Sequence, residues 1–161
     1  MSVKGVVREV RDFLRGLAGE LPEVFPPPRA VRRVVRYRYR RPRPPRPAPA
    51  DLARAKELIT ARVAHWAAVL GVTYGRVAVK DQRSLWGSCS RKGNLNFTWR
   101  LAAAPAGALD YVVIHELCHL REMNHSRRFW AHVAAACPDY RTHRRWLRDN
   151  APALMSASSL N

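Results

Sequence analysis

A short segment, His115-Glu116-Leu117-Cys118-His119, carries three side chains that could act together in a reaction. The two histidines are four residues apart, so on a helix they project from the same face and can bind one metal ion. Glu116 follows the first histidine and can reach a water molecule on that ion. A zinc ion lowers the pKa of bound water from about 15.7 to roughly 7, and Glu116 can take the proton during attack on a carbonyl. The pattern predicts metal-assisted hydrolysis with Glu116 as general base.

The sequence around this segment favours a metal site over ordinary core histidines. Residues 111–120 are apolar on nearly every face of the predicted helix, which indicates a buried helix. A buried carboxylate without a partner is costly, so something must compensate for Glu116. The alternative is a buried helix whose histidines are satisfied by hydrogen bonds to the backbone. Further potential ligands follow closely, and they favour the metal.

The third ligand has two candidates, since a catalytic zinc site usually has three protein ligands and one open position. Glu122 lies near the predicted helix end, where it suits a salt bridge or a supporting role better. His125 can reach the ion if the chain reverses just before it, and Asn124 tolerates the left-handed conformation that such a reversal often needs. We therefore expect His125 to be the third ligand, with His132 held in reserve because its helix follows the turn.

Helices and strands must together position these residues. Asp51 is the expected N-cap of the second helix and Gly71 its C-terminal stop, while Ser126 can cap the helix after the third histidine. A hairpin turn is predicted at residues 90–93. Apolar periodicity predicts helices over residues 3–17, 51–70, 105–121, 126–137 and 140–150, and strands over residues 77–79, 84–90 and 94–99.

Composition divides the chain into four predicted segments. They are an N-terminal amphipathic helix (1–25), a Pro/Arg-rich basic linker or edge strand (26–50), the domain with the histidines (51–150) and a flexible tail (151–161). Arginines are dense over residues 29–46, and no acid lies among them. The net charge of +17 favours an anionic partner such as nucleic acid, although the charge can equally be a solvated surface.

The remaining composition indicates a compartment. Three widely spaced cysteines argue against a disulfide framework and favour a reducing environment. No run of about 18 apolar residues predicts a membrane span, and charges recurring from residue 8 to residue 15 interrupt any signal-peptide core. We expect a cytoplasmic protein without a transmembrane segment.

Two blocks of sequence resemble the YgjP-like metallopeptidase domain family, which is related to the SprT-like and WLM zinc peptidases. They are residues 81–90 with the Gly-Asn-Leu-Asn run at 93–96, and residues 115–119 continuing through Asn-His-Ser at 124–126 to Phe-Trp at 129–130. The resemblance covers roughly residues 50–150. It implies a zincin-like α+β fold, with a small antiparallel or mixed sheet of about three strands packed on an active-site helix, and further C-terminal helices.

The same resemblance implies a site and a substrate class. One zinc ion would be held by His115, His119 and His125, with Glu116 as the catalytic residue, and the substrate would be a protein or peptide. Trp86, Gly87 and Ser88 fit a strand beside the active-site helix that could hold an extended peptide by backbone pairing, with Gly87 permitting a close approach. Arg83 is a further substrate-binding candidate. Core packing around a hairpin is the alternative explanation for Trp86.

Two other functions stay open at this point. The same water could attack phosphorus in a nucleotide, with arginines holding the phosphates, although the sequence has no Gly-rich phosphate loop. The basic segment 29–46 could instead bind DNA or RNA, either alone or beside a peptidase activity.

Overall fold

The computed structural model describes residues 3–20 and 46–160, and the chain divides into two units, Met1–Arg41 and Pro42–Asn161. In the first unit, helix α1 (Val3–Glu20) confirms the predicted N-terminal helix, and it ends at Glu20 rather than near residue 17. The predicted basic strand or linker falls largely outside the described residues, as does most of the 29–46 segment proposed to bind nucleic acid. Within the described ranges, no helix combines the length and apolar character needed to cross a membrane.

Helix α2 (Pro49–Leu70) opens the second unit, and it begins earlier than its sequence suggested. Pro49 occupies the start of the helix, where its fixed φ suits the first turn and its missing N–H costs nothing. The prediction that Asp51 is the N-cap is therefore wrong. Asp51 lies in the first turn, and its carboxylate accepts a hydrogen bond from the Leu160 N–H at 3.3 Å. Gly71 ends the helix as predicted, in the left-handed conformation with φ 61°.

Three short strands form a mixed sheet in the order β1-β3-β2: β1 (Val77–Lys80), β2 (Gly87–Cys89) and β3 (Leu95–Thr98). β3 is parallel to β1 and antiparallel to β2. The strand predicted over residues 84–90 is shorter, because residues 83–84 bend and the Gln82 side-chain amide donates to the Leu85 carbonyl at 3.2 Å. The predicted hairpin turn is present, with Gly93 at φ 75° and its N–H donating to the Ser90 carbonyl.

The centre of the fold is β3 together with helix α3 (Ala106–Cys118). The side chains of Leu95 and Phe97 are fully buried, and β3 leads into a short 3₁₀ helix, Trp99–Ala103. Helix α3 packs against α2, β2, helix α4 (Arg127–Ala136) and helix α5 (Tyr140–Ser156). This arrangement places a nearly all-apolar helix in the interior, as its sequence predicted.

The C-terminal segment is more ordered than its composition suggested. Helix α5 passes through Pro152 to Ser156, so residues 151–156, expected in a flexible tail, are helical. Beyond the helix, the Ala157 carbonyl accepts a hydrogen bond from Arg100 Nε at 3.2 Å. This bond, together with the one from the Leu160 N–H to Asp51, attaches the C-terminal segment to the body of the domain.

An ion pair between a fully buried arginine and a partly exposed aspartate supports the end of β1 next to this segment. The Arg100 side chain is fully buried, and its Nη1 lies 2.6 Å from Oδ1 of Asp81. The indole N–H of Trp99 donates to the same oxygen at 3.2 Å. Burial alone raises the pKa of Asp81, but the bonds from Arg100 and Trp99 outweigh it, and the pKa lies below its usual value. The Asp81 carboxylate therefore stays ionised, and it neutralises the charge of the buried Arg100 guanidinium.

Candidate metal centre

Helix α3 carries the first two histidines and the glutamate. Pro105 is its N-cap residue, and a bidentate pair from Arg62 on α2 to Asp110 on α3, with N···O distances of 2.6 and 2.5 Å, fixes it to its neighbour. The helix ends at Cys118 rather than near residue 121, so His119 is the C-cap residue. Cys118 is 2% exposed within the core, as the sequence predicted.

The chain reverses between His119 and His125, and Asn124 does not adopt the left-handed conformation that such a reversal often needs. No described residue other than glycine has a positive φ. The turn is closed instead by the N–H groups of Arg121 and Glu122, which both donate to the Cys118 carbonyl. The reversal on which the prediction for His125 depended is present, and it does not use the left-handed conformation that Asn124 would tolerate.

Ser126 then caps helix α4 and fixes the residue before it. Its hydroxyl accepts a hydrogen bond from the Phe129 N–H at 3.3 Å. Capping satisfies a helix N–H that would otherwise lack a partner, and it sets the direction in which the chain enters the helix. His125 is thereby held at the mouth of the turn, next to the first two histidines.

Nitrogens of His115, His119 and His125 converge on one point. Among the described residues they form the group whose ligand atoms all lie within 4.8 Å of one another, and Nε2 of His115 is 3.1 Å from Nε2 of His125. Ligands at about 2.0–2.1 Å around a tetrahedral zinc ion are roughly 3.3 Å apart. Three imidazoles are also a ligand set that zinc accepts, so these residues fit the ion.

The second ring nitrogens of His119 and His115 have different surroundings. Nδ1 of His119 lies 3.2 Å from the main-chain carbonyl of Glu122, which leaves Nε2 free for a ligand bond. Nδ1 of His115 is buried and has no hydrogen-bond partner among the described residues. Apart from the contact of its Nε2 with His125, this ring is surrounded by aromatic side chains, so a cation bound at Nε2 would give it a favourable polar interaction.

The centre is surrounded by aromatic rings. The fully buried Phe129 has its ring centre 4.9, 4.5 and 4.8 Å from those of His115, His119 and His125. Trp130 lies 5.8 Å from His115 and 5.9 Å from His125. These rings limit the orientations that the three imidazoles can adopt.

Burial keeps the imidazoles of His115 and His119 neutral, which is the form that binds a metal. It lowers the pKa of His115 to about 3, helped by the nearby His119, His125 and Arg144. Burial also lowers the pKa of His119. Neither ring needs to lose a proton at neutral pH before it can bind a cation.

Glu116 lies beside this group in a dry setting created partly by a glycine. Its residue surface is 6% exposed, and burial raises its pKa to about 7. Gly87 of β2 packs directly on it: an ideal Cβ at that position would be 2.8 Å from both Cγ and Oε1 of Glu116. Only glycine fits there without displacing the carboxylate. The close approach of a peptide substrate to Gly87 stays a prediction.

Two clefts meet at Gly87, His115 and Glu116. The larger has a volume of about 420 Å³, and its lining includes Leu85, Trp86, Tyr111, Val112, Arg144, Leu147 and Arg148. The smaller has a volume of about 330 Å³, and its lining includes Leu85, Ser88, Cys89, His119, Met123 and His125. The candidate site is therefore an open groove that passes the three histidines.

The predicted substrate-binding residues are only partly in this groove. Trp86, Gly87 and Ser88 line it, whereas Arg83 is absent from both linings and lies 3.9 Å from Asp81. His132, held in reserve, lines a separate cavity. Sequence reasoning missed Arg144 and Arg148, which enter the groove from α5. Their spacing of four residues on a predicted helix was the available signal, but it did not indicate which element the helix would contact.

The fold is that of zincin-like metallopeptidases. Abylysin of Pyrococcus abyssi, solved as a metallopeptidase zymogen, is similar with a TM-score of 0.51 and 21% identity, over 56% of this chain and 93% of that chain. The metallopeptidase zymogen jannalysin of Methanocaldococcus jannaschii aligns with a TM-score of 0.46 and 17% identity, over 55% and 94%. The comparison with curated proteins found no match.

The chain belongs to the YgjP-like metallopeptidase domain family, whose model matches residues 51–150. The resemblance read from the two sequence blocks is confirmed, and with it the α+β zincin-like fold. Membership supports a metal-dependent peptidase.

Proposed function

We propose that the chain is a zinc peptidase in which His115, His119 and His125 hold one zinc ion and Glu116 is the general base. The observation that carries the proposal is the convergence of three imidazoles beside a buried carboxylate, within one open groove. Family membership supports the metal and the peptidase class.

The roles of the residues follow from their surroundings. Bound zinc supplies a Lewis acid that polarises a carbonyl and makes water a nucleophile near neutral pH. The Glu116 carboxylate accepts the proton of the attacking water and returns it to the leaving amine. A carboxyl with a pKa near 7 suits both halves of this transfer. Gly87 keeps the carboxylate in place because no side chain at that position separates it from β2.

A peptide substrate is supported by the position of β2. This strand is at the edge of the sheet, with β3 as its strand partner among the described residues, and its first two residues line the groove. An edge strand beside a catalytic groove can hold an extended peptide through main-chain hydrogen bonds. A nucleotide has no backbone that could pair in this way, so we favour peptide hydrolysis over nucleotide hydrolysis.

The test compares three variants for zinc content and for cleavage. We expect one zinc per wild-type chain and cleavage of unfolded casein that a chelator abolishes. Glu116→Gln should retain the zinc and lose cleavage by about 100-fold or more, because the amide cannot accept the proton. His119→Ala should lose both zinc and cleavage.

His132→Ala is the matched control, since this histidine lies in a separate cavity, and it should keep both properties. Retained cleavage in Glu116→Gln would remove Glu116 as the base. Zinc-dependent hydrolysis of nucleoside triphosphates without any cleavage of casein would refute the peptidase assignment in favour of the nucleotide alternative.

A further inference from the structure

Helix α5 presents a strongly basic face. Arg141, Arg144, Arg145 and Arg148 follow a spacing of three, one and three residues, which places them on one side of the helix, and all four are exposed. Among the described residues, the acid within ion-pair distance of these arginines is Asp149, whose Oδ1 lies 3.0 Å from Nε of Arg148. The side chains of Asp149 and Arg148 are both largely exposed. The face therefore has excess positive charge available for a ligand.

Aromatic stacking directs one of these arginines to the metal centre. The guanidinium of Arg144 lies 5.2 Å from the ring centre of Trp130, and Trp130 stacks on Tyr140 at 5.4 Å. Trp130 in turn contacts His115. Stacking uses the face of a guanidinium and leaves its N–H donors available. Arg144 is thus positioned near the site, and within the described part of the chain no side-chain hydrogen bond engages its guanidinium.

Arg144 and Arg148 belong to two surfaces at once. Both line the 420 Å³ cleft together with His115 and Glu116, and both line a second, more polar groove of about 670 Å³ with Arg141 and Arg145. The rest of the cleft is mainly apolar, formed by side chains such as Val112 and Leu147. A ligand in this cleft would thus place its reacting bond near the histidines and an anionic group against the two guanidiniums.

We propose that Arg144 and Arg148 form a subsite that recognises a carboxylate of the peptide substrate. The inference rests on the proposed function and adds the substrate class to it. Guanidinium groups bind carboxylates through paired, charge-assisted hydrogen bonds. The carboxylate is that of a glutamate or aspartate side chain near the cleaved bond, or that of the peptide C-terminus. Because Arg144 and Arg148 line the same cleft as His115 and Glu116, we favour the peptide substrate over a nucleic acid as the ligand of these two arginines.

The test measures peptide binding without turnover, using the zinc-loaded Glu116→Gln variant and fluorescence anisotropy. Four labelled peptides share one neutral core: an amidated reference, one with glutamates before its centre, one with glutamates after it, and one with a free C-terminal carboxylate. Exposed ion pairs are individually weak, so two of them should tighten the preferred acidic peptide by roughly 3- to 30-fold over the reference. This preference should shrink as salt is raised, and the peptide that gains it identifies the source of the carboxylate.

The arginines are tested by adding Arg144→Gln and Arg148→Gln together, which should reduce the preference to about one-fold. Arg54→Gln, an exposed arginine on α2, is the matched control and should keep it. Circular dichroism checks that each variant is folded. In wild-type protein, kcat/KM for the same peptides should follow the same order.

The remaining outcomes distinguish a failure of the carboxylate subsite from a failure of the peptidase proposal. Equal affinity for all four peptides, or a preference that survives the double substitution, overturns the carboxylate subsite and leaves the peptidase proposal intact. Absence of zinc-dependent cleavage of every peptide by wild-type protein overturns the peptidase proposal. If a single-stranded oligonucleotide binds through the two arginines while the acidic peptides show no preference, the face belongs to nucleic acid and the subsite is overturned.

Discussion

The contact between Gly87 and Glu116 predicts that Gly87→Ala will damage catalysis without removing the metal. An added Cβ would lie 2.8 Å from Cγ and Oε1 and 3.0 Å from Cδ of Glu116, whereas ordinary contacts begin near 3.4 Å. The carboxylate must therefore move by about 0.6 Å or more, since repulsion rises steeply below contact distance. Displacements approaching 1 Å in a catalytic group can cost about 100-fold. We expect kcat to fall by roughly 10- to 100-fold.

The assay combines kinetics on a fluorogenic peptide with zinc content by mass spectrometry. Zinc should stay at one ion per chain, because Gly87 contacts the glutamate and is not itself a ligand candidate. Gly16→Ala is the matched control: it is also a glycine without a positive φ, and nothing lies within 4 Å of its added Cβ. That variant should keep the wild-type kcat.

A second measurement separates the carboxylate from the substrate, since Gly87 also lines both clefts. In the Glu116→Gln background, adding Gly87→Ala should change peptide affinity by less than about 2-fold. If the methyl group acts on the carboxylate alone, it has no further effect on substrate binding once that carboxylate is absent. A kcat that is unchanged by Gly87→Ala would refute the reasoning. So would a loss of peptide affinity as large as the loss of kcat, because the methyl group would then be obstructing the substrate.

Two further predictions concern residues that support the site. Asp81→Asn should lower the free energy of unfolding by about 2 kcal/mol in urea denaturation, because it removes the carboxylate from the buried Arg100. Ser126→Ala should cost about 1 kcal/mol through the lost helix cap, and it should weaken zinc affinity, followed by competition with a chelator, by up to about 5-fold because His125 precedes the cap.

Matched variants control for both predictions. Asp149→Asn removes an ion pair whose partners are mostly exposed, so it should change the free energy of unfolding by less than about 0.5 kcal/mol. Ser126→Asn retains a capping oxygen and should keep wild-type zinc affinity. Equal destabilisation by Asp81→Asn and Asp149→Asn would contradict the importance assigned to the partner of the buried Arg100. Loss of zinc affinity in Ser126→Asn would contradict the capping explanation.

Local patterns predicted the elements that bear the histidines. The spacing of His115 and His119 depends only on helical geometry, and the apolar residues around them depend only on burial, so α3 could be predicted from its sequence. The strands and the hairpin with Gly93 followed from alternation and turn chemistry in the same way. His125 needed a chain reversal, whose presence the sequence could suggest but whose hydrogen bonds it could not specify.

Features that depend on tertiary contacts could not be predicted. Arg144 and Arg148 reach the cleft because α5 packs on α3, and no local pattern contains that packing. The support that His119 receives comes from a main-chain carbonyl, which every residue has, so residue type gives no signal. The helix predicted to end at residue 150 continues to Ser156, because the one N–H that Pro152 lacks did not interrupt α5.

The reversal between His119 and His125 has a practical consequence for experiments. Because it requires no left-handed residue and uses the carbonyl of residue 122 rather than its side chain, the side chains of Glu122 and Asn124 are open to replacement, whereas Met123 lines the smaller cleft. Asn124 is exposed and one position away from His125. A cysteine introduced at residue 124 and labelled with a fluorophore would therefore report on metal loading and on substrate entry from a few ångströms away, while all three imidazoles stay in place.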